Sequence, residues 1–222
     1  RMISNPGSWL PQVDAYSLAR IEVLRGPASA SYGQGLGGGV VNQVSKLPQA
    51  ESAHAVHIQY GSFNEKRLGV DSTGALNQDA SLMYRAVLSG VDSDTQIKDS
   101  HHRRIYVAPS LTWKPNEQLT WTGLVAYSNE PELPNYNALP AVFLGLNNSQ
   151  YPSLDRRANY TDHAFNDASR TQKSLSSLFE YRWNDQWGFV SNARYMHIDS
   201  DIQRSIIYGY QEQNGKPMLN GY

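Results

Sequence analysis

A glycine-rich run near the start of the chain has the spacing of a phosphate-binding loop. Residues Gly33 to Gly38 satisfy the pattern G-x-G-x-x-G, in which backbone N–H groups contact the pyrophosphate of a dinucleotide. That chemistry requires a strand before the run and a helix after it. Here the β-branched residues of 40–44 follow instead, and no Lys-Ser or Lys-Thr pair completes a mononucleotide loop. The sequence therefore predicts no nucleotide site.

Two adjacent histidines, His101 and His102, come nearest to a metal-binding motif. Neighbouring residues on a strand point to opposite faces of a sheet, so we interpret the pair as solvated loop residues. The chain has no cysteine, which excludes disulfides and thiolate metal sites. Serine, aspartate and histidine are scattered without the spacing of a nucleophile elbow. We therefore predict no catalytic residue, no metal site, no cofactor and no enzymatic activity.

The composition favours thin sheets with two different faces. The chain contains 14 Tyr, 5 Trp and 17 Gly, yet its mean hydropathy is only −0.55. Its formal net charge of −1 lacks the basic excess of a nucleic-acid-binding protein. No apolar stretch approaches the roughly 20 residues of a membrane helix. A transmembrane barrel strand is only about half apolar, and this composition suits it.

Residues 1–50 predict a compact α/β segment. Asp14 is placed as the N-cap of a short helix over 14–20, and residues 21–25 are predicted to form a strand. A helical turn is expected at 27–32, and a second strand at 40–45.

From residue 53 onward, apolar and polar residues alternate with a period of two. This pattern predicts about seven antiparallel strands, each with one apolar face. The predicted strands are 54–60, 67–76, 80–91, 104–114, 118–128, 173–183 and 187–195. Tight turns at 77–79, 115–117 and 184–186 alternate with longer polar links at 62–66, 92–103 and 130–170. The last link is too long for a compact soluble domain, whereas outer-membrane barrels have short periplasmic turns and long extracellular loops.

Four of the five tryptophans lie beside the tight turns. Trp113 and Trp121 flank one turn, and Trp183 and Trp187 flank another. All four lie on the apolar face, at the same end of the strands. Core residues of a soluble sandwich are not expected to collect beside turns, whereas an aromatic girdle at a membrane interface has this arrangement.

Residues 21–33 (IEVLRGPASASYG), continued by 38–48 (GGVVNQVSKLP), resemble the plug-domain signature of TonB-dependent receptors. Residues 108–115 (APSLTWKP), 129–132 (NEPE) and 208–210 (YGY) are similar to ferrichrome-type receptors of hydroxamate siderophores.

The resemblance implies an all-β membrane barrel of about 22 strands, filled by an α/β plug domain. Residues 1–50 would be the C-terminal part of the plug. Residues 51–222 would be the N-terminal third of the transmembrane barrel, with long extracellular loops. We expect a signal peptide, the energy-coupling box and the rest of the plug before Arg1, and further strands after Tyr222.

The function implied by the resemblance is import of a ferric siderophore across the bacterial outer membrane. The ligand would bind between the plug apex and the extracellular loops. TonB, with its inner-membrane energising complex, would then pull on the plug. The expected partners are the ferric siderophore, TonB and outer-membrane lipid, with no nucleic acid, and the receptor is expected to be a monomer.

Five residues correspond to functional positions of the family. Tyr136 matches a ligand-contacting tyrosine of the third extracellular loop, although Ala138 stands where those receptors have tryptophan. The other matches are an aromatic pair in the fourth loop, a residue at the plug apex and a plug latch that pairs with barrel-wall glutamates beyond Tyr222: Tyr208, Tyr210, Trp9 and Arg25.

The tyrosine pair favours a hydroxamate-type cargo. Residues two apart on a strand share a face, and counting by twos from Arg194 puts both phenols inward if no bulge intervenes. Two phenols suit a neutral or weakly charged chelate, whereas an anionic catecholate would require clustered cations and the flanks offer mainly Arg204. The alternatives are a cobalamin or glycan receptor, or a passive porin-like or adhesive barrel.

Overall fold

Seven antiparallel strands, paired in chain order, form the main sheet of the computed structural model. The structure describes residues 12–25, 39–134, 143, 154–160, 162, 165–205, 207–214 and 216–221. The strands of this sheet are β3 (Ala53–Tyr60), β4 (Lys66–Ala75), β5 (Leu82–Asp94), β6 (His101–Trp113), β7 (Leu119–Glu132), β8 (Asp167–Arg182) and β9 (Gly188–Gln203). Within the described ranges, no helix is long and apolar enough to cross a membrane.

The seven strands predicted from the alternation are confirmed, but several extend further than predicted. β8 and β9 both contain 16 residues and run past 173–183 and 187–195 toward the loop end of the sheet. The alternation weakens there because outward residues such as Asp199 are polar, while backbone pairing with β8 continues. The link predicted at 92–103 is a shorter loop, 95–100, because β5 continues to Asp94 and β6 already begins with His101 and His102, which therefore do not lie in a loop.

The link predicted at 62–66 is also a tight turn rather than a long one. It connects β3 and β4 between Tyr60 and Lys66. Phe63 and Asn64 adopt φ angles of 59° and 53°, the left-handed values that a short reversal requires.

One face of the sheet is apolar and exposed, and the other is polar and largely covered. Val125, Leu175 and Tyr195 form one cross-strand row on the apolar face, and Val125 is 47% exposed. On the opposite, polar face, the hydroxyls of Thr112 and Thr122 are buried and lie 2.8 Å apart. The faces predicted from the alternation for the residues of β7 and β8 are therefore correct.

The tryptophans lie where the sequence predicted them, at the short-turn end of the apolar face. Trp113 and Trp121 are direct cross-strand partners, and the Trp121 indole donates to Ser177 Oγ at 3.0 Å. Around the next turn, the Trp183 N–H donates to the Trp187 carbonyl at 3.0 Å, and both side chains are exposed.

The N-terminal segment forms a single 3-10 turn and a two-stranded hairpin. Asp14 caps the turn Ala15–Ser17 by accepting from the Tyr16 N–H at 2.8 Å. β1 (Leu18–Arg25) then pairs with β2 (Gly39–Ser45). The predicted cap and strands are confirmed. The predicted helix over 14–20 is too long, because Leu18 and Arg20 already pair with β2, and the turn predicted at 27–32 lies outside the described residues.

A second hairpin, which the sequence analysis did not predict, follows the main sheet. β10 (Ile207–Gln213) and β11 (Lys216–Gly221) form their own two-stranded sheet. Asn214 at the reversal has a φ of 53°, which suits the Asn-Gly sequence of a two-residue hairpin turn.

Candidate functional site

The N-terminal segment lies against the polar face of the main sheet, and ion pairs, hydrogen bonds and ring packing attach it. The polar face is formed by the side chains that alternate with the exposed apolar ones. We refer to residues 12–25 and 39–50 as the plug segment, and to the polar face of β3–β9 as the inner wall. The contacts between the plug segment and the inner wall show whether the space beside the inner wall is open or filled.

The strongest contact is an ionic group around Asp71, here named the Asp71 cluster: Lys46, Asp71 and Arg85. Arg85 donates through Nε and Nη2 to the two carboxylate oxygens of Asp71, at 2.8 and 2.7 Å. Lys46 of the plug segment donates to the same carboxylate at 2.8 Å. Arg85 also donates through Nη1 to the Leu47 carbonyl at 3.0 Å. One wall carboxylate thus joins a wall arginine to a plug lysine, and the arginine bonds the plug backbone.

A second group of contacts involves the 3-10 turn. Arg104 of the inner wall donates to the Asp14 carboxylate, which is 2% exposed. Gln172 forms two hydrogen bonds with the backbone of Gln12: its carbonyl accepts from the N–H at 3.0 Å, and its amide donates to the C=O at 3.2 Å. A buried charge requires such a partner, because an unpaired one is strongly destabilising.

Tyr16 forms the third contact by occupying space left by a glycine. A side chain begun at Gly69 would meet the Tyr16 ring at 2.8 Å, so only glycine leaves room for it. Lys46 Nζ lies 4.4 Å from the centre of the same ring. Burial, and secondarily the negative charge of Asp71, raise the pKa of the Tyr16 phenol. The ring therefore remains neutral and packs as an apolar body with a cation beside it.

The β1–β2 hairpin has its own polar contacts. Asn42 donates to Glu22 across the strands at 2.8 Å, and Arg20 donates to the same carboxylate at 2.6 Å. The Asn42 amide and the Arg20 guanidinium lower the pKa of the Glu22 carboxyl. Arg25, the predicted latch, is exposed at the end of β1 and forms no ion pair with any described residue.

We predict that Arg25→Ala in the full-length receptor loosens the plug while the barrel still assembles. The reason is that the family resemblance implies barrel-wall glutamates as partners of Arg25, and removing the arginine would leave them without a counter-ion. The measurement is the sensitivity of cells to a large antibiotic that the outer membrane normally excludes. Heat-modifiable gel mobility serves as the control for barrel assembly. Permeability equal to that of wild type would reject the latch role.

At the loop end of the inner wall, charged residues are paired and loops pack together. Arg170 Nη2 donates to both carboxylate oxygens of Glu130 at 2.8 Å, and both side chains are 3% exposed. Two loops meet where the Lys98 N–H donates to the Arg157 carbonyl at 2.8 Å. The Phe143 ring meets Tyr210 edge-on, with ring centres 5.3 Å apart.

The structure describes only part of the predicted ligand site. Trp9 and Tyr136 lie outside the described residues. Tyr208 lies in β10, but its side chain is not among those described, whereas Tyr210 is 37% exposed and contacts Phe143. Tyr210 therefore lies among the packed loop residues.

The assumption used to place the two tyrosines is not met. β10 belongs to a separate sheet, so inward and outward positions cannot be counted along the chain from β9. The pairing of β10 with β11 also shifts between Ile207 and Gly209, which makes Tyr208 the irregular residue. A bulge interrupts strict alternation, so sharing a face does not follow from the spacing of two.

The described residues contain no group of three or more His, Cys, Asp or Glu that could hold a metal ion. His101 instead lies 2.8 Å from Asp94, its cross-strand neighbour. Sequence reasoning did not identify the charged residues of the inner wall as plug contacts. Their signal was an isolated charge on the polar face of an alternating strand, as at Asp71 and Arg85.

Comparison with known proteins supports the same architecture. Residues 4–40 match the TonB-dependent Receptor Plug Domain family. The ferrichrome outer membrane transporter/phage receptor of Escherichia coli is 30% identical over 89% of this chain and 26% of its own length. The ferrioxamine receptor of Yersinia enterocolitica is 29% identical over 100% of this chain and 30% of its own length. The metal-pseudopaline receptor CntO of Pseudomonas aeruginosa is 29% identical over 94% of this chain and 28% of its own length.

Solved structures show the same fold. The pyoverdine outer membrane receptor FpvA from Pseudomonas aeruginosa superimposes with a TM-score of 0.76 over 89% of this chain and 28% of FpvA, at 17% identity. The present chain spans about a quarter to a third of the length of the relatives it matches.

A lipid-facing antiparallel sheet whose inner wall carries a plug defines the class of plugged outer-membrane barrels. This chain is similar to the TonB-dependent receptors of the bacterial outer membrane: residues 4–40 match their plug domain, and its seven-stranded sheet has the fold of part of their barrel. The predicted fold class and location are confirmed. The relatives are transport receptors rather than enzymes, which agrees with the expected absence of catalysis.

Proposed function

We propose that the full-length receptor binds a ferric siderophore at its extracellular end and imports it with energy supplied through TonB. The observation that carries this proposal is the attachment of the plug segment to the inner wall through the Asp71 cluster, Asp14–Arg104 and Tyr16. A passive porin requires an open lumen, whereas a filled one requires an energised change before cargo can pass.

A hydroxamate-type cargo is supported by charge. Near the loop end of the inner wall, two arginines are paired with carboxylates, Arg67 with Glu65 and Arg170 with Glu130, whereas Arg204 donates to the neutral Pro134 carbonyl. Paired cations offer little to a strongly anionic chelate. Tyr210, the described member of the predicted pair, is partly exposed and presents a phenol instead. Relatives that bind ferrichrome and ferrioxamine support the same class of cargo.

We expect the double substitution Tyr208→Ala/Tyr210→Ala to weaken binding of a ferric hydroxamate by about 1–3 kcal/mol, the usual cost of removing aromatic binding residues. The measurement is equilibrium binding of a panel containing ferric hydroxamates, ferric catecholates, cobalamin and oligosaccharides to the purified full-length receptor. Tyr195→Ala is the matched control, because Tyr195 is an exposed tyrosine on the lipid-facing side of β9.

Two results would count against this assignment. If the double variant binds hydroxamates as tightly as the Tyr195→Ala control does, the two tyrosines are not ligand contacts. If the wild-type receptor binds only catecholates, cobalamin or oligosaccharides, the cargo class is wrong, although the receptor class would stand.

A further inference from the structure

The lipid-facing side of the sheet contains an open apolar groove near its loop end. Four residues from four neighbouring strands form its floor, in one cross-strand row: Ile58, Leu68, Gly90 and Ile105. The side chains of Ile58, Leu68 and Ile105 are more than half exposed, whereas Gly90 has no side chain. The deepest point of the groove therefore lies over Gly90, and the side chains of Leu68 and Ile105 rise on either side of it.

A comparison of the described glycines of the main sheet shows that this depression is unusual there. The space above Gly69 is occupied by the Tyr16 ring, and the space beside Gly123 by the indole of Trp121 at 3.0 Å. At Gly90, in contrast, an added Cβ would meet only the Arg104 carbonyl, at 3.9 Å. Gly74 and Gly188 of the main sheet also have close neighbours, at 2.9 and 3.3 Å, so among the described glycines of that sheet only Gly90 has open space above it; Gly209 of the separate β10–β11 hairpin is open as well.

The mouth of the groove carries a cation. The row directly beyond the floor contains Lys66, Asp92 and Arg103. Arg103 interacts with Asp92 at 3.5 Å and with Glu132 at 2.9 Å, whereas Lys66 is exposed and forms no ion pair with any described residue. An anion at the mouth could therefore contact Lys66, which is not in an ion pair with any described carboxylate.

The position of the groove along the strands fits the outer leaflet. Ile105 lies eight residues from Trp113, which marks the opposite, short-turn interface. At the usual rise per residue this is about 27 Å along the strand, which a tilt of about 40° reduces to a height of about 20 Å in an apolar band about 25 Å tall. The floor consequently lies inside the outer part of the hydrocarbon, and Lys66, two residues nearer the loop end than Leu68, lies near its outer edge, beside the headgroups.

We propose that this groove binds a phosphorylated, acylated lipid of the outer leaflet. An acyl chain lies over Gly90 between Leu68 and Ile105, and Lys66 contacts the lipid phosphate. This chemistry matches the groove because its floor is apolar, its depth comes from a missing side chain, and its one available cation lies where the phosphate of an outer-leaflet lipid is located.

The test is native mass spectrometry of the full-length receptor, purified in mild detergent and mixed with lipid A or its dephosphorylated form. Gly90→Leu fills the groove without backbone strain, and we expect it to lower lipid A retention at least fivefold. Lys66→Gln is expected to lower lipid A retention about threefold and to leave the dephosphorylated form unaffected. Leu88→Phe and Lys173→Gln are matched controls, because they change bulk and charge on the same face outside the groove.

Three outcomes would overturn the proposal. Equal retention by Gly90→Leu and Leu88→Phe would mean that the groove is not the binding site. If Lys66→Gln and Lys173→Gln lower lipid A retention equally, the positive charge acts without regard to its position, and Lys66 is not a specific phosphate contact. Equal retention of lipid A and its dephosphorylated form by the wild-type receptor would exclude recognition of phosphate. Heat-modifiable gel mobility confirms that each variant is folded.

Discussion

Asp71→Ala is expected to weaken attachment of the plug segment by about 2–3 kcal/mol. Removing one partner of a fully buried ion pair costs about 3–5 kcal/mol, because a buried charge is left unpaired. The effect should be somewhat smaller here because the Lys46 side chain remains 22% exposed. Without Asp71, Lys46 and Arg85 would be two close cations with no carboxylate between them.

The readout is entry of a large antibiotic into cells that produce the full-length receptor, together with the amount of folded barrel. Asp185→Ala is the matched control, because that carboxylate lies in an exposed short turn. Lys46→Gln should have a milder effect than Asp71→Ala, because Arg85 still neutralises Asp71. If Asp71→Ala and Asp185→Ala give the same permeability, the Asp71 cluster does not hold the plug.

Val125→Arg is expected to destabilise the full-length barrel by about 2–4 kcal/mol, the usual cost of a lipid-facing arginine near the bilayer midplane. Val125 is exposed on the apolar face and pairs with Leu175, in the middle of the apolar band. The measurement is unfolding in lipid bilayers as a function of urea concentration.

The choice of control depends on the structure. The alternation alone suggests Thr122, because it lies on the inner wall. Thr122 is buried and bonded to Thr112, however, so an arginine there would be costly for a different reason. Asn192 is the better control, since it lies on the inner face of β9 and is exposed. Equal penalties for Val125→Arg and Asn192→Arg would contradict the assigned faces of the sheet.

The strands and their two faces could be predicted from the sequence because alternation is a local property. Leu119 to Tyr127 shows the period of two directly, and burial at Thr122 against exposure at Val125 follows from the same phase. The tryptophans could likewise be placed by their distance from the turns. Strand ends were less predictable, since the backbone ladder of β8 and β9 continues after the apolar face has ended.

Contacts between distant parts of the chain could not be predicted in this way. Lys46 and Asp71 are separated in sequence, and only the seating of the plug segment on the inner wall brings them together. The inward or outward position of Tyr210 could not be predicted for a related reason. Counting from β9 assumes one continuous ladder, whereas β10 leaves the main sheet and contains an irregular residue. The Asn-Gly pair at 214–215 was the local signal for a separate hairpin that reverses there.

Uptake of a radiolabelled ferric hydroxamate is the most direct test of energised siderophore import. Cells that lack other receptors for the cargo would produce the full-length receptor, with and without TonB. We expect saturable uptake with TonB, and binding without uptake in its absence, because the proposed function requires the plug to close the lumen until TonB pulls on it. Uptake that continues at the same rate without TonB would contradict this account and indicate a passive pore.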